Sequence, residues 1–363
     1  MDRLAHLYHE GGQSPWLDNL KRSYITGGEL ERQIRRGIRG LTSNPTIFQK
    51  AIQGSADYDD QHRELLAAGG STLDHYWAMV LADINGALDL FTGVYDQSFG
   101  GDGFVSVEVA PSLAHDGAGT ESAARELHRM IDRPNLMVKI PGTAEGLPAI
   151  RQMIAEGRNI NVTLIFSLQR YQQVMDAYID GLEEYSRHVD ADLSKVASVA
   201  SFFISRVDSE VDARLDVIGT PQALELRGRA AIAQAKLAYQ AFRTTFSGPR
   251  WEALAADGAA VQRPLWASTS TKNPSYPDTL YVDQLIGPDS VNTLPDNTIE
   301  AFVDHGTVAR TIDVDVDDAH HVWAQLAAVG VDMDDVAAKL EREGVASFIK
   351  SFDDLIEALD QKA

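Results

Sequence analysis

Lys139 carries the sharpest chemical signal in the chain. It is one of nine lysines and stands in Leu136-Met137-Val138-Lys139-Ile140-Pro141, with apolar neighbours on both sides. A strand lysine so flanked points into partly dry surroundings, where desolvation disfavours the ammonium and frees the neutral amine that attacks a carbonyl carbon. A buried lysine held in a structural ion pair is the competing reading. Two acids occupy similar runs, Glu108 in Val105-Ser106-Val107-Glu108-Val109 and Asp18 in Trp16-Leu17-Asp18-Asn19. Strands rarely keep an unpaired acid, because its burial is costly. One amine converging with two acids is a Schiff-base constellation, a nucleophile with the proton carriers that make and use an iminium. Each acid alone reads equally as the partner of a nearby arginine. Asn161 and Thr163, two apart in Asn161-Val162-Thr163-Leu164, share one strand face and offer an amide and a hydroxyl to water or to substrate hydroxyls. Strand propensity alone also accounts for the threonine.

Two further strand ends set cations beside hydroxyls. Ser201-Phe202-Phe203-Ile204-Ser205-Arg206 ends in a guanidinium, and Trp266-Ala267-Ser268-Thr269-Ser270-Thr271-Lys272 ends in an ammonium. Arginine suits bidentate phosphate contact and lysine acts as a point charge; solvated surface charge is the plainer alternative. The 363 residues carry 32 Lys+Arg against 53 Asp+Glu, a formal net charge of −21. Against that background cations at strand ends stand out, and an anionic substrate has to be held by a few of them. The same balance repels nucleic-acid backbones, so no nucleic-acid partner is expected.

The chain has no cysteine, which removes disulfides, thiolate zinc sites, iron–sulfur clusters and thiolate nucleophiles. No apolar run approaches the roughly 18 residues of a membrane span. The opening Met1-Asp2-Arg3-Leu4-Ala5-His6 leads into Gly11-Gly12 without the apolar core of a secretory signal, so a cytoplasmic protein is expected. Three partial motifs are set aside. Gly117-Ala118-Gly119 with Ser122 starts too far beyond the run ending at Val109 for a dinucleotide turn. Asp313, Asp315 and Asp317 imitate calcium ligands, but Asp318 stands where the turn glycine belongs and Ala324 where the bidentate glutamate belongs. His320 and His321 are adjacent rather than one helical turn apart.

Eight β-rich runs must position these groups: 15–20, 38–41, 104–109, 136–141, 160–166, 196–204, 264–268 and 291–294. Several are almost continuously apolar, as in strands covered on both faces of a parallel sheet. Helical patterns alternate with them. Residues 220–246 form one such pattern, with Thr220-Pro221 as its start and Leu224, Gly228, Ala231, Ala235, Tyr239, Phe242 and Phe246 as its buried stripe. Eight repeats fit an α/β fold of the (βα)8 TIM-barrel type, whose chemistry sits at the C-terminal ends of the strands. Past Leu294 only helices follow: 296–305, then three stretches punctuated by Gly330 and Gly344 and ending at Gln361. The expected organisation is one domain, with a barrel over about 14–306 and a helical extension over about 307–363. The last helix, with Phe348, Phe352, Leu355 and Leu359 in its stripe, is expected to cover part of the barrel mouth.

Two long segments make the resemblance specific. The stretch Leu136-Met137-Val138-Lys139-Ile140-Pro141-Gly142-Thr143-Ala144-Glu145-Gly146-Leu147 resembles the active-site signature of transaldolases, and Gly40-Leu41-Thr42-Ser43-Asn44-Pro45-Thr46-Ile47-Phe48 resembles their signature near the second strand. The order of the Glu108, Asn161–Thr163 and Ser201–Arg206 segments follows the same family, and the likeness runs from about residue 14 to 361, as in its longer bacterial subgroup. It implies a class I aldolase-type barrel that moves a dihydroxyacetone unit from sedoheptulose 7-phosphate or fructose 6-phosphate to glyceraldehyde 3-phosphate or erythrose 4-phosphate, in the non-oxidative pentose phosphate pathway. By that resemblance Lys139 forms the Schiff base, Asp18 handles the C4 hydroxyl proton, Glu108 works through a water and Thr163 holds that water. Asn44 and Asn161 bind the dihydroxyacetone hydroxyls, with Thr42 and Ser201 nearby, and Arg206 binds phosphate. The shorter transaldolases carry a Ser-x-Arg motif on the seventh strand; here Ser268 is followed four residues later by Lys272, which takes the arginine's place. No metal or organic cofactor is implied, and the protein is expected as a monomer or homodimer acting on small sugar phosphates, without a membrane partner.

Two rival functions remain. The related fructose 6-phosphate aldolases, much shorter, carry Gln where Glu108 stands and Tyr where Phe203 stands, so both positions favour transfer. A barrel that binds sugar phosphates but has lost catalysis is the other. The arrangement most damaging to the Schiff-base reading is a Lys139 nitrogen locked to a permanent carboxylate, or turned outward beneath the helices.

Overall fold

The eight runs are strands, and they close on themselves. In the computed structural model, which describes residues 2–361, β1 (Gln13–Leu17), β2 (Leu41–Thr42), β3 (Val105–Glu108), β4 (Leu136–Pro141), β5 (Ile160–Ile165), β6 (Ser198–Phe203), β7 (Arg263–Ala267) and β8 (Ser290–Leu294) pair in sequence order. All pairs are parallel, and β1 meets β8 from Gln13↔Ser290 to Leu17↔Leu294, which completes a (βα)8 barrel. Every strand residue except Arg263 is buried. That burial on both faces, by barrel interior and helical shell, explains the apolar continuity of the runs.

Two helical expectations are corrected, and both turn on a glycine. The 220–246 pattern is not one helix. It divides into Pro221–Leu224, capped by Thr220, and Ala230–Thr245. Gly228 lies in the break at φ +71°, a left-handed conformation that glycine adopts without steric cost. Conversely, Gly344 does not interrupt the last helix, which runs unbroken over Met333–Gln361. A Cβ at Gly344 would stand 3.0 Å from Leu164 and 3.5 Å from Arg206, so the glycine lets this helix lie close against the barrel mouth. Two helices therefore follow Asp296–His305 rather than three, Val316–Ala328 and Met333–Gln361.

The last helix spans the mouth as a strap. Near its start Lys339 and Asp335 pair with Glu210 and Arg214 of helix Ser205–Ile218. Farther on Ser351 shares a 2.8 Å hydrogen bond with Thr46 of helix Pro45–Gly54, and Phe352 meets Tyr76 edge to face. Among the described residues no helix is long and apolar enough to cross a membrane.

Candidate active site

The C-terminal strand ends open into a cleft of about 430 Å³. Asp18, Thr42, Asn44, Lys139, Thr163, Ser201, Arg206, Ser268 and Lys272 all line it. Glu108 and Asn161 do not reach its wall. Glu108 stands behind Lys139 on the neighbouring strand, and Asn161 is fully buried.

Lys139 points into the barrel and is 4 % exposed. Its Nζ donates to the carbonyl of Ser43 and to Glu108 Oε2, each at 3.0 Å. The register of β3 with β4 sets Glu108 directly beside Lys139, which is why the two side chains meet. The nitrogen thus does not face the helical shell, yet it does have a carboxylate partner, the feature that bears hardest on a Schiff-base role. The state of that partner decides the matter. Burial pushes the Glu108 carboxyl up, the charge of Lys139 opposes this, and Asp18 adds to the rise. In a dry site an ion pair must repay the desolvation of two ions. The acid beside the amine is thus one whose charged form burial disfavours. Among the described residues Glu108 Oε1 and Thr163 Oγ1 are both buried without a protein partner, and they retain the capacity to hold a water.

Asp18 follows the end of β1, and its Oδ1 accepts a 2.9 Å hydrogen bond from Thr42, whose hydroxyl also lies 2.7 Å from that of Thr293. Burial again pushes its carboxyl up, held back by Lys139, the Thr42 bond, Lys272 and Arg206. Thr163 sits within a register shift of the β5–β6 pairing between Val162 and Ile165, and the next residue, Leu164, has φ +60°. Ser268 has φ +58° and its hydroxyl meets that of Ser205 at 2.9 Å. A non-glycine residue at positive φ costs on the order of 1–3 kcal/mol, and such strain clusters at functional sites.

The amides differ from a simple substrate-binding pair. Asn44 is the N-cap of helix Pro45–Gly54, and its Oδ1 accepts from the Ile47 amide at 3.0 Å, so its Nδ2 is the end open to the cleft. Asn161 donates to Ser106 Oγ at 3.0 Å and accepts from Ser201 Oγ at 2.8 Å. It orients Ser201, which does line the cleft, instead of facing the cleft itself.

Three further cations line the cleft within electrostatic reach of one another: Arg206, Lys272 and Lys50. Among the described residues, none of the three has a carboxylate within ion-pair distance, in a chain of net charge −21. Arg206 instead lies 5.3 Å from the Phe203 ring centroid and 5.9 Å from that of Phe348. Burial pulls its guanidinium down, and the exposed-rim Lys272, which donates to Ser270 Oγ at 2.6 Å, is pulled down by burial and by Arg206. Crowded like charges without counter-ions form a ready seat for a dianion. Lys50 escaped the sequence reading, although it stands one helical turn after Thr46 of the second signature and on the same face. Ser347 and Phe348 also line the cleft, brought there by long-range packing of the last helix.

Comparison with known proteins gives a consistent result. Residues 15–359 match the family described as Transaldolase/Fructose-6-phosphate aldolase. The chain is 52 % identical over 353 residues to a transaldolase of Frankia alni, covering 97 % of this chain and 95 % of that protein. It is 51 % identical over 362 residues to one of Acidothermus cellulolyticus, covering 99 % and 96 %, and 49 % identical over 349 residues to one of Mycobacterium tuberculosis, covering 95 % and 93 %.

Proposed function

This chain belongs to the transaldolase/fructose-6-phosphate aldolase family and is a transaldolase, and we propose that it works through a Schiff base on Lys139 with its proton carriers and phosphate seat as follows. The lone pair of Lys139 Nζ adds to the C2 carbonyl of the ketose donor. Glu108, in contact with that nitrogen, exchanges protons with the carbinolamine, and a water held by Thr163 completes the path by which hydroxide leaves as water. The iminium draws electrons from C3. Asp18 takes the C4 hydroxyl proton, the C3–C4 bond breaks, and its electron pair stays on the donor fragment as an enamine while the aldose phosphate departs. Asn44 and Ser201, the latter oriented by Asn161, hold the hydroxyls of the three-carbon unit, with Thr42 keeping Asp18 in place. An acceptor aldehyde phosphate then enters, seated on Arg206, Lys272, Lys50 and Ser268, and the steps run in reverse.

One observation carries this reading: a buried amine touches an acid that burial pushes up, and the cleft it serves is also lined by cations that have no counter-ion among the described residues. The donors would be sedoheptulose 7-phosphate or fructose 6-phosphate and the acceptors glyceraldehyde 3-phosphate or erythrose 4-phosphate, which belongs to the non-oxidative pentose phosphate pathway. We further read the chain as one cytoplasmic domain, 14–306 as barrel and 307–363 as extension, acting as a monomer or homodimer without nucleic-acid partners. Residues 362–363 of that extension lie outside the described structure. The test separates transfer from aldol cleavage. Fructose 6-phosphate alone should yield negligible free dihydroxyacetone, and adding erythrose 4-phosphate should start rapid formation of sedoheptulose 7-phosphate. Steady release of dihydroxyacetone without acceptor would move the protein to the aldolase side of its family, and no reaction in either mixture would leave a binding barrel.

A further inference from the structure

Two buried acids take no part in the chemistry above. Asp208 and Asp212 stand one turn apart on helix Ser205–Ile218, 1 % and 8 % exposed, and among the described residues neither has a cation within ion-pair distance. Burial pushes Asp208 up to about 6. Burying acids without counter-ions is costly, and the fold meets that cost with four hydrogen bonds arranged alike. Asp208 accepts from the amide of Ala231 at 2.7 Å and from the hydroxyl of Tyr281 at 2.7 Å. Asp212 accepts from the amide of Gly228 at 2.9 Å and from the hydroxyl of Tyr276 at 2.6 Å.

The two amides exist because the 220–246 pattern breaks. Gly228 at φ +71° turns the chain, and a Cβ there would stand 2.8 Å from the Tyr276 ring, so the ring passes over a position only glycine can fill. Tyr276 belongs to the segment that leaves β7, and Tyr281 to the short helix Leu280–Asp283 that ends it. Between Ala267 and helix Leu280–Asp283 this segment has no helix or strand of its own, yet it carries Ser268, Ser270 and Lys272. Arg206 lies two residues before Asp208 on the opposing helix. At the cleft end the same two segments are joined by the Ser205 amide donating to the Ser268 carbonyl at 3.0 Å and by the Ser205–Ser268 hydroxyl contact.

We propose that Asp208–Tyr281 and Asp212–Tyr276 form a clamp that sets the span between Arg206 and Lys272, making Tyr276 and Tyr281 positioning residues for the phosphate end of the substrate. This rests on the phosphate seat proposed above. An irregular segment holds a cation to within a fraction of an ångström only if something outside it fixes its backbone, and the clamp supplies two such points.

The test uses Tyr276→Phe and Tyr281→Phe, which keep the rings and remove one hydroxyl each. Inorganic phosphate is the binding probe, and erythrose 4-phosphate is compared with unphosphorylated D-glyceraldehyde as acceptor. The expected result is a rise of about tenfold in KM for erythrose 4-phosphate and in the inhibition constant of phosphate, with the D-glyceraldehyde rate and kcat unchanged. Unchanged phosphate inhibition, or equal losses with both acceptors accompanied by a lower melting temperature, would overturn the clamp. Arg206→Ala distinguishes the two layers of the reading. If it leaves phosphate inhibition untouched, the seat itself is misassigned; if it weakens phosphate while the tyrosine variants do not, only the clamp fails.

Discussion

The two ends of the barrel treat charge in opposite ways. At the N-terminal end Asp102, just before β3, is almost fully enclosed and accepts from four side chains: Ser14 Oγ at 2.6 Å, Arg39 Nε at 2.9 Å, Trp16 Nε1 at 3.1 Å and Arg263 Nη2 at 3.2 Å. Its donors come from β1, β7 and the approach to β2, so one acid ties together strands distant in sequence. At the C-terminal end the groups are held short of satisfaction. Among the described residues Glu108 and Thr163 each keep a buried oxygen without a protein partner and three cations lack counter-ions, and burial pushes both acids up. Charges that neutralise one another hold a fold together, whereas charges kept apart are available to a substrate.

The largest effect expected from breaking this contrast is at Lys139. Lys139→Ala should lower transfer by at least about 10³-fold, because it removes the amine that is in contact with Glu108. The circular dichroism spectrum should stay that of the parent, since burial pushes the Glu108 carboxyl up and the lysine charge that opposed this is gone. A variant with substantial activity would remove the nucleophile from the account. At the opposite end Asp102→Ala leaves Arg39 and Arg263 without their shared acid and should cost about 3 kcal/mol of stability in a urea titration, with the folded fraction turning over normally. A large fall in kcat without loss of stability would mean the two ends are not separable.

Smaller effects sharpen the account of the cleft. Arg206→Ala should raise KM for phosphorylated acceptors by roughly 100-fold, the loss of about 2–3 kcal/mol of charge-assisted hydrogen bonding, and leave unphosphorylated acceptors nearly unaffected. Equal losses on both would point to packing against Phe203 and Phe348 instead. The pH profile tests Asp18. A base must be ionised to take the C4 proton, so activity falls as pH drops through a carboxyl that burial has raised above its ordinary value near 4. Thr42→Val removes a hydrogen bond that favours the ionised form, so the acid limb of kcat/KM should move upward. A limb that stays put or moves down would assign the titration to another group.

Much of the barrel was legible in the chain because strands enclosed on both faces must be apolar along their whole length, and a lysine inside such a run stands out. The two glycines show where that legibility ends. Gly228 fits a helical stripe and Gly344 looks like a break, yet their parts are reversed by what approaches them, the Tyr276 ring in one case and Leu164 with Arg206 in the other. Neither neighbour is local in sequence. The Lys139–Glu108 contact was hidden for the same reason, since it depends on the register of β3 with β4. So was the use of the Asn161 amide by Ser106 and Ser201, and the arrival of Phe348 over the cleft.

The most direct examination is to incubate the protein with fructose 6-phosphate, reduce with borohydride and identify the modified peptide by mass spectrometry. A reduced three-carbon adduct on the peptide containing Lys139 is the predicted outcome. Full recovery of that peptide unmodified, or an adduct on Lys50 or Lys272 in its place, would contradict it.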